Sequence, residues 1–260
     1  MAISSAAVPS LRRHTIDPPP EYPKARSRNV SRAGTRCAAC NPPELCLTCR
    51  LVAPEPAFAG GLVYTRKRVG RAESLYRAGA CFDALYAVRS GFFKSTVALE
   101  DGRDQVTGFH MAGEILGMDG IDTESHTADA TALEDSEVYI IPYERLSDPG
   151  LQRQLSRVMS RELVRDQGVM LLLGTMCSAE RLAAFLLNLS QRFLARGLSS
   201  DEFHLRMTRH EIGSYLGMKL ETVSRLFSRF QDEGLVWVAQ KHVRIRDIDG
   251  LKAMMARVND

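Results

Sequence analysis

The stretch PGLQRQLSRVMSRELVRDQGVMLLLGTMC, residues 149–177, decides how the rest of the chain is read. Asp148 suits an N-cap, Pro149 suits the first helical position, and the next break comes at Ser178, a fresh N-cap with Glu180 close behind. About 27 residues at about 1.5 Å each predict a rod of about 40 Å. Leu155, Met159, Leu163, Met170 and Leu173 recur at steps of three, four or seven and form one apolar stripe. Arg153, Arg157, Arg161 and Arg165 take the outer positions. A narrow seam with basic flanks fits a helix paired with a second copy of itself better than a core helix. Asp166 falls in register between Leu163 and Met170, so a parallel two-fold pair would bring two carboxylates into an apolar groove. That costs stability unless they are protonated or solvated. Two readings stand: Asp166 lies in water at the seam's edge, or a weak dimer lets a distant signal decide association.

Bulk composition excludes several classes. With 260 residues, 45% of them apolar and 25% charged, the chain can bury two ordinary cores and is neither fibrous nor dominated by disorder. No apolar run nears the roughly 18 residues of a membrane span. The N-terminal arginines are not followed by an apolar signal core. Six cysteines without an export signal predict reduced thiols, hence metal or redox chemistry in a cytoplasmic protein. A net charge of +3 barely favours a nucleic-acid partner, so the placement of charge has to carry that case. His110, His126, His204, His210 and His242 show no triad or metal spacing and no Gly-rich phosphate loop is present, so an enzyme is not expected.

Residues 1–36 are rich in Ser, Ala, Pro and Arg without an apolar period and are expected to be a disordered basic tail. CAACNPPELCLTC follows, in a predicted loop over 37–53. Its Cys37, Cys40, Cys46 and Cys49 can converge on one centre, because an irregular loop can turn its side chains inward. An iron–sulfur cluster suits this spacing. Zinc and redox-active thiols are the alternatives, although structural zinc sites usually separate their Cys pairs by a dozen residues or more.

Residues 54–148 change to short β-branched runs punctuated by glycine, which predicts an antiparallel sandwich or barrel. LYAVRSGFFKSTVAL predicts a hairpin around Ser90-Gly91, and Glu100-Asp101-Gly102 another turn. Cyclic-nucleotide domains of this shape anchor phosphate with an Arg-Ser pair soon after a Gly-Glu. Here Gly113-Glu114 is followed by Glu124-Ser125-His126-Thr127 without a nearby arginine. The phosphate lacks its cation, and no cyclic nucleotide is expected.

Residues 178–260 begin with a helix, AERLAAFLLNLSQRFLARG, followed by a short strand, FHLRM. Thr208 caps RHEIGSYLG, and Gly217 turns the chain into LETVSRLFSRFQDEG, where Ile212, Leu216, Val223 and Leu226 can pack together. This predicts a helix-turn-helix, and two strands around Gln240-Lys241 add a wing, with Trp237 as core between wing and helix. Glu221, Thr222, Ser224, Arg225 and Arg229 fall on the outer side of the second helix. Arg can pair with guanine, Glu can accept from cytosine N4, and Ser or Thr can reach base or phosphate. A solvated helix face is the bland reading; inside a winged helix-turn-helix beside a dimer helix, DNA reading is the better one. Arg209, Lys219 and Lys241 are candidate phosphate contacts.

These segments resemble the CRP/FNR superfamily, and within it the FNR branch of oxygen-responsive transcription regulators, over about residues 37–248. LYAVRSG (85–91) and TGFHMAGEILG (107–117) resemble the family's sensory β-roll, ERLAAFLLNLSQRF (180–193) its connecting helix, and MTRHEIGSYLGMKLETVSRLFSRFQ (207–231) its DNA-reading unit. The resemblance implies an α+β chain with an N-terminal β-roll, a dimerisation helix over 149–177 and a C-terminal winged helix-turn-helix. The E-x-x-S-R of Glu221, Ser224 and Arg225 implies a TTGAT half-site in an inverted repeat of double-stranded DNA. Cys37-x2-Cys40-x5-Cys46 implies a [4Fe-4S] cluster whose presence favours the dimer and whose loss in oxygen releases it. Asp166 falls where the family places an acidic residue in its dimer helix, and Glu100, Asp101 and Asp104 correspond to a surface used to touch RNA polymerase. The family's fourth cysteine lies in the last strand of the roll, before an Ile-Pro; LEDSEVYIIP places Tyr139 there. Cys49 is the nearest replacement. Cys81 and Cys177 are further candidates, or else ordinary buried thiols; an acidic oxygen ligand, or no cluster, completes the alternatives.

Overall fold

The structure is a computed structural model, described here for residues 65–147 and 149–256. The expected tail and the cysteine loop lie outside the described residues, as does Asp148. Eight strands, β1 (Thr65–Val69), β2 (Ser74–Tyr76), β3 (Ala84–Ser90), β4 (Phe92–Ala98), β5 (Asp104–Met111), β6 (Ile115–Leu116), β7 (Asp129–Ala132) and β8 (Ser136–Pro142), build the roll. They form two four-stranded antiparallel sheets, ordered β1-β8-β3-β6 and β2-β7-β4-β5. Alternate residues point inward as the period of a strand requires, and Val69, Leu75, Val88, Phe93, Leu116 and Val138 fill the space between the sheets.

The turn at Ser90-Gly91 is not the expected hairpin. β3 and β4 belong to different sheets, so the chain crosses between layers there. Gly91 has φ +95°, and a Cβ on it would lie 2.7 Å from Ser136 Cα. Only glycine allows this approach, and Ser136 Oγ accepts the Phe92 N–H at 3.2 Å to pin the crossover. The second expected turn is a hairpin: β4 pairs β5, and Leu99 N donates to Arg103 O at 2.8 Å.

Beyond the roll, α1 (Pro149–Thr175) has 27 residues, as the spacing predicts, and no helix among the described residues is long and apolar enough to cross a membrane. α2 (Ser178–Leu194) starts one residue earlier than expected, with Cys177 as its N-cap and Cys177 N donating to Glu180 Oε2 at 2.7 Å. The chain then forms β9 (Glu202–His204), α3 (Arg209–Leu216), α4 (Leu220–Asp232), β10 (Val236–Ala239), β11 (His242–Ile245) and α5 (Ile248–Ala256). β10, β11 and β9 make a third antiparallel sheet, the wing. One continuous core runs from Phe92, Val106 and Phe109 of the roll through Leu182 and Leu186 of α2 to Ile212, Leu216, Val223 and Phe230.

Three expectations are corrected by burial. Leu155 is only 9% exposed and packs with Phe82, Leu85, Ile141 and Leu146, so it anchors α1 to the roll and does not join the seam. Cys81 and Cys177 are exposed, not buried thiols. Trp237 is half-buried and stands edge-on to His242 at 5.3 Å, so it lies on the wing and not in the core. Replacing Gly91 with Ala is expected to cost roughly 2–5 kcal/mol, from a strained positive φ and a backbone clash together. Chemical denaturation of the variant checks this; a change within experimental error would remove the crossover constraint.

Candidate nucleic-acid interface and its couplings

The helix-turn-helix is built by local rules. Thr208 Oγ1 accepts the Glu211 N–H at 3.2 Å while Glu211 Oε2 accepts the Thr208 N–H at 2.7 Å, a reciprocal capping box that fixes the start of α3. Gly217, with φ +64°, ends α3 in the left-handed conformation that turns the chain into α4. Val223, Phe227 and Phe230 bury one face of α4, at steps of four and three. The opposite face is therefore held outward. Glu221, Ser224, Arg225 and Arg229 are exposed, and Thr222 is half-buried beside them. Arg225 Nε makes only a long contact, 3.4 Å, to the Glu221 carbonyl, whereas Arg229 Nε pairs with Glu233 Oε1 at 2.7 Å.

The phosphate candidates differ among themselves. Lys219 is exposed at the N-cap of α4, where the helix dipole also favours an anion. Lys241 Nζ donates to the Arg206 carbonyl at 2.9 Å. Arg209 lies over the Phe227 ring, 3.4 Å from its centroid, and its Nη2 donates to the Gln240 carbonyl at 3.2 Å. Burial pulls its pKa down to about 10. Arg209 thus ties α3, α4 and the wing turn together, and in this conformation its guanidinium is engaged inside the domain.

Five of the six residues expected at the dimer seam meet on one surface. Met159, Leu163, Asp166, Met170 and Leu173 line an open groove of 870 Å³ between α1 and the roll, whose far wall includes Tyr76, Leu116, Asp119 and Ala128 as well as the β4–β5 hairpin. Leu163 is 60% and Met170 72% exposed, and Asp166 is exposed among them. Burial, with Glu114 and Asp166 after it, pushes the neighbouring Glu162 carboxyl up against the pull of Arg165.

Glu114 is an ion-pair anchor whose partners the sequence did not announce. It accepts from Arg192 Nη2 of α2 at 2.7 Å and from Arg196 Nη2, in the turn just past α2, at 2.6 Å, and Arg165 of α1 approaches to 3.5 Å. Arg192 and Arg196 also donate to the carbonyls of Phe109 and Ala112, at 2.7 and 2.6 Å. Burial alone would push the Glu114 carboxyl up; the three arginines outweigh it and hold its pKa at about 2. Beside this cluster His110 is buried, with Nε2 3.1 Å from Ser95 Oγ and Nδ1 without a partner among the described residues. Burial, then the nearby Arg165, draws its pKa to about 3. Arg192 and Arg196 share a face at a spacing of four, a visible signal for a common anion, but nothing in the sequence pairs them with a residue 78 and 82 positions away. Across the roll, Asp119 Oδ2 accepts the backbone N–H groups of Thr127 and Ala128 at 2.8 and 3.2 Å. An internal carboxylate occupies these amides.

The comparisons with known proteins agree with this architecture. Residues 66–148 match the cyclic nucleotide-binding domain family, and residues 180–254 match the Crp-like helix-turn-helix domain. The transcriptional regulatory protein btr of Bordetella pertussis is 46% identical over 233 residues, covering 88% of this chain and 96% of that protein. The chain belongs to the CRP/FNR family of transcription regulators. Other CRP/FNR relatives include the transcriptional activator protein Anr of Pseudomonas protegens, 46% identical over 86% of this chain and 92% of that protein. The fumarate and nitrate reduction regulatory protein of Salmonella typhimurium is 42% identical, over 84% and 89%. Among solved structures, FixK2 from Bradyrhizobium japonicum superimposes with a TM-score of 0.68 at 30% identity, covering 74% of this chain and 98% of that one. These relatives are regulators and not enzymes, CRP/FNR members are dimeric, and the helix-turn-helix makes this chain a DNA-binding regulator.

The Glu114 cluster has a measurable consequence. Glu114→Gln leaves three arginines short of their partner and is expected to cost roughly 3–5 kcal/mol in chemical denaturation. Glu114, held near 2 against an ordinary 4.5, contributes stability that is full above pH 4.5 and is lost as pH falls toward 2. His110, held neutral down to about pH 3 against an ordinary 6.5, adds a loss that begins as pH drops below 6.5. The unfolding midpoint should therefore decline from pH 6.5 downward, and His110→Gln should flatten the upper part of that decline; an unaltered profile would contradict the burial argument.

Proposed function

We propose that this chain is an oxygen- or redox-responsive regulator of the FNR type, which binds TTGAT-type inverted repeats as a homodimer. The observation that carries the sensing part is the donor set itself. Four thiolates, Cys37, Cys40, Cys46 and Cys49, lie within thirteen positions, and such a set fits a [4Fe-4S] cluster, with Cys49 taking the place of the thiolate that Tyr139 lacks. Bound there, the cluster supplies oxygen-labile redox chemistry. The chain's own residues do the rest. Tyr139 is buried in β8, paired with Arg66 of β1, the first described strand after the cysteine loop, and it shares its core with Leu155 of α1. A change in the loop reaches α1 along this packed route, from β1 through Tyr139 to Leu155.

Dimerisation then falls to the stripe of exposed Met159, Leu163 and Met170 and half-buried Leu173, with Asp166 weakening it enough for the loop to decide. In a two-fold pair Asp166 would approach its own copy, and the Glu162 carboxyls add to the repulsion. Glu221, Thr222, Ser224, Arg225 and Arg229 read the major groove, Lys219 contacts phosphate, and Glu100, Asp101 and Asp104 at the hairpin tip face RNA polymerase. No cyclic nucleotide is needed: arginines consume Glu114, and Asp119 consumes the amides at Thr127 and Ala128, two places a ribose phosphate would want.

Iron and acid-labile sulfide on anaerobically purified protein test the sensor. We expect about four of each per chain, a visible absorbance that bleaches as air is admitted, and loss of both in Cys49→Ser. Zinc, or no metal, would replace this reading with a zinc or thiol switch acting on the same DNA-binding dimer. For the reader, Arg225→Ala should weaken binding to a TTGAT-type repeat by roughly 10- to 100-fold per half-site contact, and binding to random DNA far less. Equal losses on both would reduce Arg225 to a phosphate contact.

A further inference from the structure

β5 is the outer strand of its sheet, and an outer strand presents unpaired N–H and C=O groups that a fold must cover. Here α3 of the reader covers them. A register shift opposite Ser95 and Thr96 bulges β5, and the Val106 N–H donates to Ser214 Oγ at 2.8 Å. Ser214 Oγ in turn donates to the Asp104 carbonyl at 3.3 Å, and Gln105 Nε2 donates to the Ser214 carbonyl. Lys94 of β4 pairs with Glu211 Oε1 at 2.8 Å, both side chains largely buried. Glu211 is also the residue that caps α3, so the hairpin grips the helix at its fixed end. Tyr215 sets its ring 5.2 Å from Phe109 of β5 and 5.9 Å from Phe185 of α2. A separate pair, Arg206 with Glu134 at 2.8 Å, joins the reader to the β7–β8 turn.

All of these ties use surfaces away from the reading face. Glu221, Ser224 and Arg225 stay exposed while α3 is held, so the latched arrangement does not block DNA. We propose that the β4–β5 hairpin is a positioning surface for the reader: Ser214, Glu211 and Lys94 fix α3, and through it α4, at a set orientation to α1, so that the two readers of a dimer meet both half-sites in register. The inference rests on the dimer and inverted repeat of the preceding section. Its physical basis is preorganisation. A reader that samples many orientations binds with its intrinsic affinity multiplied by the fraction correctly placed, and only a paired site requires both readers to be placed together. Ser214, Glu211 and Lys94 are positioning residues, since none touches DNA in this scheme.

The test uses the full-length protein, purified anaerobically, with a duplex carrying the inverted repeat and a second duplex carrying one half-site. Ser214→Ala and Lys94→Met should each weaken binding to the inverted repeat by roughly five- to tenfold and alter half-site binding by less than about twofold. Ser214→Thr, which keeps the hydroxyl, should behave as the parent chain. Hydrogen exchange at the Val106 amide should quicken in Ser214→Ala alone of the two Ser214 variants. Unchanged affinity for the inverted repeat overturns the proposal, as does tighter binding, which would make the latch a brake. Equal losses on both duplexes overturn it too, because they indicate a damaged reader and not a misplaced one. A parent chain that binds no inverted repeat would instead sink the preceding reading; the Val106 amide then decides the latch, and equal exchange in the parent and Ser214→Ala rejects it.

Discussion

One carboxylate, Glu114, governs how the halves of this protein meet. Removing a charge from water costs several kcal/mol, and the Glu114 side chain, at the turn between β5 and β6, is only 13% exposed. It is tolerable there because Arg192 of α2, Arg196 in the turn that follows it and Arg165 of α1 converge on it. The arrangement runs in both directions, since those guanidinium groups are themselves partly buried and would be stranded without it. The roll, the long helix and the connecting helix therefore share a single electrostatic centre, and the helix-turn-helix stacks onto α2 through the common apolar core. A residue type that the wider cyclic-nucleotide fold places beside its ligand is here spent on holding protein to protein.

Much of this was legible from the sequence because it follows short-range rules. The capping box at Thr208 and Glu211, the glycine at 217 and the apolar periods of α1 and α4 each lie within one or two turns of the residues they organise. The β4–β5 turn was equally local. What escaped reading depends on contacts far apart in the chain. Ser90-Gly91 has the composition of a hairpin, and only the sheet order makes it a crossover. Leu155 fits the stripe of α1 perfectly well, yet it is taken by Phe82 and Ile141, residues that no helical period can point to. Ser214 looks like an ordinary helix-surface serine until the edge of β5 is laid against it. Among the site residues, the exposed face of α4 was legible because one helix period suffices to define it, whereas the Glu114 cluster needs three separate elements.

Tyr139 illustrates how a single replacement redistributes structure and chemistry. On the cluster reading proposed above, a thiol at that position would tie the cysteine loop to β8. A phenol ring cannot do so, and it fills the volume with apolar area, joining Leu146 and Leu155 beneath the roll. The replacement exchanges a point attachment for a packed surface. Packed surfaces transmit displacement because interiors have few voids to absorb it.

The anchoring of α1 at Leu155 also has a mechanical side. Leu155 sits against the roll, while Met170, fifteen residues on, is 72% exposed. At about 1.5 Å per residue the two are separated by about 22 Å of helix. A tilt of about 5° at Leu155 would carry Met170 through about 2 Å, and what resists it is the Arg165 contact with Glu114, the packing of Leu172 on the shared core and the Arg181 hydrogen bond to the Leu173 carbonyl. A movement of about 2 Å is the size of the shifts by which packed helices change partners at subunit interfaces. The rod is therefore pinned along its length, so a tilt at Leu155 has to be shared by the Glu114 cluster and by the start of α2.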